Sequence, residues 1–235
     1  MSDLQSLLSL HGYLPSVLHG AWVTVQLSLL SLLVALVLGM LAANGKLSSN
    51  PLSKGLAMVY TTVVRGIPDL VLMMMVFYGG QILVNSFTDA MDWQYFEVSA
   101  FLSGVLSIGF IYGAYMGETF RGAIQAVDKG QLMAGRAYGM THGQVYRRIL
   151  VPLMMRHALP GIGNNWLVLL KGTALVSLIG LEDMMRKAQV AAGSTHKPFT
   201  FYLSVALLFL LFTSLSMFVF RRLERRYRLV EREAA

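Results

Sequence analysis

The chain of 235 residues contains no cysteine. That excludes a disulfide framework, a zinc–thiolate site and a cysteine nucleophile. Charge is the second scarcity. Asp, Glu, Lys and Arg make up 13% of the residues, about half of the roughly 25% found in soluble globular chains. Nowhere does a G-x-x-x-x-G-K-[ST] sequence occur, so the chain does not cradle nucleotide phosphates itself. None of the five histidines falls in H-E-x-x-H or another ligand spacing, and no metal site is expected. What is abundant is apolar. Hydrophobic residues reach 55%, and mean hydropathy is +0.59. A net charge of +7 looks out of place until the charges are mapped. Long uncharged runs alternate with basic patches, as expected when the solvent is a bilayer. The basic charge then reads as membrane orientation, not nucleic-acid binding.

Five runs suit membrane helices, near residues 21–43, 57–84, 98–117, 157–181 and 199–220. The first and last are free of charge. At ~1.5 Å per residue, each spans a hydrocarbon core of ~30 Å. The second contains the polar break Arg65-Gly66-Ile67-Pro68-Asp69 ahead of its apolar stretch Leu70 to Val84, and the fourth carries Asn164, Asn165 and Lys171. Polar groups in a span face a protein interior or a water-filled path. The expected architecture is all-α: a polytopic membrane protein, with residues 1–235 as one membrane domain. The first twenty residues lack a basic n-region and a full apolar stretch, so a short outer segment is expected there and not a cleavable signal peptide.

Five spans put the termini on opposite sides, and the basic residues assign the sides. Fifteen of the nineteen Lys and Arg residues fall on one set of loops, from Lys46 to Arg232. The other set holds only Arg186, Lys187 and Lys197, with Lys171 inside a span. The positive-inside rule places the first set in the cytoplasm. The N-terminus is then outside and the Arg-rich C-terminus inside.

The long inner loop, residues 118–156, predicts two short helices. Asp128 and Thr141 are N-cap residues, each with a glutamine three residues on. Met133, Ala137 and Met140 share a face at helical spacing. A second helix brings Val145 and Ile149 together and stops before Pro152. On spacing alone the loop is either a solvated amphipathic element on the membrane surface or a docking element for a cytoplasmic partner.

The run Met133-Ala134-Gly135-Arg136-Ala137-Tyr138-Gly139, nine further residues, then Ile149-Leu150-Val151-Pro152 resembles the EAA loop of bacterial ABC importer permeases. Met133 stands where that motif has Glu, and Gly135 where it has its second Ala. Further stretches resemble the polar amino acid permeases: Arg65-Gly66-Ile67-Pro68, Glu118-Thr119-Phe120-Arg121-Gly122, Leu159 to Trp166, Lys171 to Leu175 and Gly180-Leu181-Glu182-Asp183. Within that family the likeness is to the Q-type membrane subunits of importers for histidine, lysine, arginine and ornithine.

The resemblance implies a type I importer permease of the bacterial inner membrane that is not itself an enzyme. Its partners would be two copies of a cytoplasmic ATPase, which carry the ATP and magnesium, and a second permease, a copy or a sister chain. A periplasmic amino-acid-binding protein and membrane lipids complete the set. ATPase coupling would fall to Met133, Ala134, Gly135, Ala137, Gly139, Ile149 and Pro152. The alternative class is a stand-alone secondary transporter or channel that uses intramembrane carboxylates.

Four residues are candidates for the substrate path. Asp69 either caps the helix that begins beside Pro68 or attracts a cationic substrate. Glu118 pairs with Arg121 at i, i+3 or meets the substrate. Asn164 and Asn165 either bond between helices or line the path. Glycines 39, 79, 80, 104, 109, 113 and 117 are expected to permit close helix packing.

Overall fold

The computed structural model describes residues 10–232; the expected outer segment lies partly outside the described residues. Every regular element among them is helical. In chain order the α-helices are α1 (Leu14–Leu47), α2 (Pro51–Gly66), α3 (Asp69–Ala90), α4 (Ala100–Gln125), α5 (Lys129–Ala137), α6 (His142–Val145), α7 (Val151–Gly172), α8 (Met184–Thr195) and α9 (Pro198–Arg232). A π turn, Tyr146–Leu150, joins α6 to α7, and a 3-10 helix, Thr173–Ile179, follows α7. Five helical segments are long and apolar enough to cross a bilayer: Leu14–Leu47, Asp69–Ala90, Ala100–Gln125, His142–Ile179 and Pro198–Tyr227.

The helices of the first and last spans extend beyond the runs read in the sequence, to Leu14–Leu47 and Pro198–Tyr227, and the inner three spans differ more. Residues 57–84 do not form one helix. Pro68 lacks an N–H and disfavours the α region for the residue before it. Pro68 itself is extended, with φ -56° and ψ 134°, and α2 ends at Gly66 while α3 starts at Asp69. The third span runs on past residue 117 to Gln125, which places Glu118 inside a helix. The fourth passes through Pro160 unbroken, then tightens into the 3-10 segment after Gly172 and ends at Gly180, whose φ is +92°. Pro is tolerated in such helices where neighbouring groups take up the freed backbone positions.

The chain divides into two compact units. The first comprises residues up to 34, 67–111 and 168–214. Its core joins Val17 and Ala21 of α1, Met184, Ala188, Ala191 and Ala192 of α8, and Phe201 and Val205 of α9. Positions 184, 188, 191 and 192 form one face of α8 at helical spacing. Gly20 is what lets α8 approach α1, since a Cβ there would lie 2.8 Å from the Asp183 carbonyl oxygen. The Met184 N–H then donates to Thr24 Oγ1 at 3.2 Å. On α3, Gln81 donates to the Phe96 carbonyl at 2.7 Å and accepts from the Val98 N–H at 2.8 Å. One side chain thus serves two backbone groups of the extended segment that precedes α4.

The second unit comprises residues 35–66, 112–167 and 215 onward. Gly39 meets Met116, Gly113 meets Leu38 and Tyr60, and Gly117 meets Ala42 and Thr61. In the first unit Gly104 and Gly109 are equally crowded, whereas Gly79 and Gly80 face open space. Five of the seven predicted glycine contacts therefore form. The buried hydroxyl of Thr61 is satisfied locally: it donates to the Ala57 carbonyl at 3.1 Å, four residues back.

Candidate functional site: the coupling loop and the polar residues of the spans

The loop between α4 and α7 is stabilised by three local devices. Asp128 caps α5, accepting from the Gly130 N–H at 2.6 Å. Gly139 ends that helix with φ +79°. Its N–H donates to the Arg136 carbonyl at 2.9 Å, and the Met140 N–H donates to the Gly135 carbonyl at 3.1 Å. This is the paired pattern of a Schellman stop, with Gly139 in the left-handed position. Thr141 and Gln144 then form a reciprocal capping box that opens α6.

These devices give the loop an inner and an outer face. Gly135 is buried; a Cβ there would run into Ile149 Cδ1 and would lie 3.4 Å from Val145. Met140 joins this inner face, with its sulfur 3.6 Å from the same point. It does not extend the Met133–Ala137 face as helical spacing predicts, because the chain turns at Gly139. The outer face carries Met133, Ala134 and Ala137, all exposed, and Tyr138, which is 88% exposed. Pro152 is exposed in the first turn of α7. The seven predicted coupling residues thus sort into a displayed set and a set that shapes the loop. Tyr138 is the residue that the sequence reading missed. The signal for it lay in its place one residue before the glycine stop, four after Ala134.

Glu118 lies in α4 between two cations. One carboxylate oxygen pairs with Lys46 of α1, and the other accepts from Arg121 Nε at 2.9 Å. Arg121 continues to Gln125 Oε1 at 3.0 Å. The i, i+3 pair was legible in the sequence. Lys46, 72 residues away, was not.

Asn165 of α7 donates to Thr119 Oγ1 of α4 at 3.0 Å, and its Nδ2 lies 3.7 Å from Met116 Sδ. Asn164, one residue earlier, turns elsewhere. It is exposed and borders a cavity of about 260 Å³ with Leu167 of α7 and Phe220 and Arg221 of α9. Asp69 occupies the first position of α3, after Pro68, which makes no side-chain cap. Its charge there complements the positive end of the helix dipole. Of the four predicted path residues, Glu118 and Asn165 are tied into contacts between α1, α4 and α7 within the second unit, while Asp69 belongs to the first.

Asp183 was not singled out in the sequence for a role of its own. It is fully buried and caps α8 by accepting from the Arg186 N–H at 2.9 Å, and its Oδ2 takes no hydrogen bond from the described residues. Burial pushes this carboxyl up to about 6, against the pull of the backbone donors. Beside it, exposed Glu182 accepts from Lys187 Nζ at 2.6 Å, and that hydrogen bond holds its carboxyl below the usual range.

Residues 35–229 match the family model described as the inner membrane component of binding-protein-dependent transport systems. The chain belongs to this family. As an inner-membrane component it shares 50% identity with the histidine/lysine/arginine/ornithine transport system permease protein HisQ of Escherichia coli, across 93% of this chain and 96% of that one. The octopine transport system permease protein OccQ of Rhizobium meliloti is 41% identical, across 92% of this chain and 91% of its own. Among solved structures, a chain of an amino acid ABC transporter crystallised with histidines is 31% identical. It superposes with a TM-score of 0.78 across 94% of this chain and 98% of its own. This component is therefore a Q-type permease of the polar amino acid ABC importers. Its α5–α7 segment holds the stretch that resembles the EAA loop.

Proposed function

We propose that this permease is the translocation subunit of an ATP-driven importer of basic amino acids, namely histidine, arginine, lysine and ornithine. The observation that carries the reading is the divided coupling loop. Its inner face is closed by Gly135, Val145 and Ile149, and its outer face presents Met133, Ala134, Ala137 and Tyr138, all exposed among the described residues. A short helix that displays an apolar face from a rigid base suits the groove of a cytoplasmic ATPase. Nucleotide chemistry resides in that partner, present as two copies with their ATP and magnesium. A second permease, a copy or a sister chain, and a periplasmic binding protein complete the assembly. The N-terminus faces the periplasm and the C-terminus the cytoplasm.

ATP-driven closure of the ATPase pair moves the docked loop. Because α7 leads directly out of the π turn after α6, that movement passes into the span that carries Asn165. A bundle with two packings converts such a displacement into alternating access. Glu118 has both oxygens occupied by Lys46 and Arg121, so its charge is spent on holding α1 to α4. Asp69 supplies the attraction for the cationic substrate, and Asn164 and Asn165 offer neutral hydrogen-bonding groups along the path. HisQ-type relatives named for basic amino acids support this substrate class.

The test is arginine uptake into proteoliposomes that contain the complete complex with its binding protein. Uptake that requires ATP on the ATPase side supports the reading. Equal uptake without ATP would replace it with a secondary carrier.

A further inference from the structure

At the root of the coupling loop, within the second unit, lies a cavity of about 340 Å³. It opens where the chain leaves α4, enters α5 and begins α7. Val127 and Leu153 supply its apolar wall, and Asp128, Gln131, Arg156 and His157 its polar groups. Among the described residues, none hydrogen-bonds or ion-pairs with the side chains of Gln131, Arg156 or His157. Asp128 commits Oδ1 to its helix cap, and its second oxygen takes no protein hydrogen bond. Opposite charges therefore border one cavity without pairing.

That combination selects a ligand that carries both signs. A phosphate or a simple carboxylate would meet Arg156 and His157 favourably but face repulsion from Asp128. An amine alone would meet the reverse. We propose that this cavity binds a free α-amino acid from the cytoplasm, its carboxylate on Arg156 with help from Gln131 and His157, and its ammonium on Asp128. The guanidinium fork matches a carboxylate in two parallel hydrogen bonds. The size suits a small solute, since ligand pockets begin at about 300 Å³. The ligand would bridge the first turn of α5 to the first turns of α7, bracing the loop at its base. The assignment rests on the proposed orientation and on the reading of the chain as an amino acid permease. Its lining includes none of the path residues Asp69, Asn164 and Asn165.

Equilibrium dialysis of labelled L-arginine against the complete complex in nanodiscs, without the binding protein, tests the site. Two classes of binding are expected, one of them weakened by about tenfold or more in Arg156→Gln, the loss expected when one charge-assisted contact is removed. Asp128→Asn should weaken the same class while α5 stays folded, since Asn caps as well as Asp. Agmatine, which lacks the carboxylate, and Nα-acetyl-arginine, which lacks the ammonium, should fail to compete for it. A single class of binding in the wild type, or two unchanged classes in Arg156→Gln, overturns the site. Displacement of that class by inorganic phosphate or by phosphatidylglycerol in place of amino acids also overturns it. ATP-driven uptake by the same wild-type complex separates the two readings. Uptake with one class of binding refutes this site alone, whereas absence of uptake refutes the transport reading.

Discussion

Asp183 carries a fully buried carboxyl, one oxygen of which has no partner among the described residues. Its folded pKa, about 6, lies above the ordinary value of 3.8. The folded state therefore holds a proton where the unfolded chain has lost it. Stability from this group is complete below the ordinary value and disappears as pH rises through about 6. The change is on the order of 2–3 kcal/mol. Asp183→Asn keeps the cap on α8 and removes the charge. Thermal unfolding in detergent should show the variant more stable than wild type at neutral pH, with the difference vanishing near pH ~4. A variant that is less stable at neutral pH would show the carboxylate to be paired. Asp69 gives the second expectation at this scale. A charge-assisted hydrogen bond to a cation is worth about 1.5–3 kcal/mol, so Asp69→Asn should lower sub-saturating arginine uptake by roughly ten- to a hundredfold, with the complex assembled. Equal uptake by variant and wild type would remove Asp69 from the path. The sequence pointed to Asp69 through Pro68. It was silent on Asp183, because an acidic residue looks the same before a helix whether it is buried or exposed.

Among the helical elements, the coupling loop was the most legible. Its caps at Asp128 and Thr141 follow from local chemistry and form as read, whereas the stop expected before Pro152 does not form: the π turn Tyr146–Leu150 carries the helix without a break into α7, with Pro152 in its first turn. Gly139 was read as a coupling residue, and a Cβ there would meet nothing within 4 Å. Its role is conformational. A side chain held at φ +79° costs about 1–2 kcal/mol, so Gly139→Leu should loosen the stop and uncouple ATP hydrolysis from uptake. Tyr138→Ala removes a fully displayed ring without touching the inner face. That variant should insert and fold normally, as judged by its melting temperature, while the ATPase co-purifies poorly. Full co-purification and normal transport in both variants would dismiss the loop as the docking element. α8 went unread in the sequence because its buried face is mostly alanine, a weak hydrophobic signal until Gly20 admits it against α1.

For the whole molecule, orientation can be tested directly because the chain has no native cysteine. Single cysteines at Gln94 and Gly193, both exposed, should react with an impermeant maleimide added outside intact cells. Cysteines at Ser49 and Gly143, also exposed, should react only after permeabilisation. The opposite pattern at either pair would reverse the topology. Thr88, on the same side as Gln94, is a poor probe because it is buried and bonds to the Asn85 carbonyl.

The sequence by itself determined the solvent, the number of spans and the positions of the helix caps. Those depend on hydropathy and on residues a few positions apart. The polar break around Pro68 was also visible, since the missing N–H acts on adjacent residues, but the run drawn across it at 57–84 had to be divided into α2 and α3. Only the tertiary structure decided how polar groups in the spans are satisfied. Lys46 reaches Glu118, Asn165 reaches Thr119, and Met184 reaches Thr24. In a medium without water, buried polar groups need partners, and helices distant in sequence supply them here.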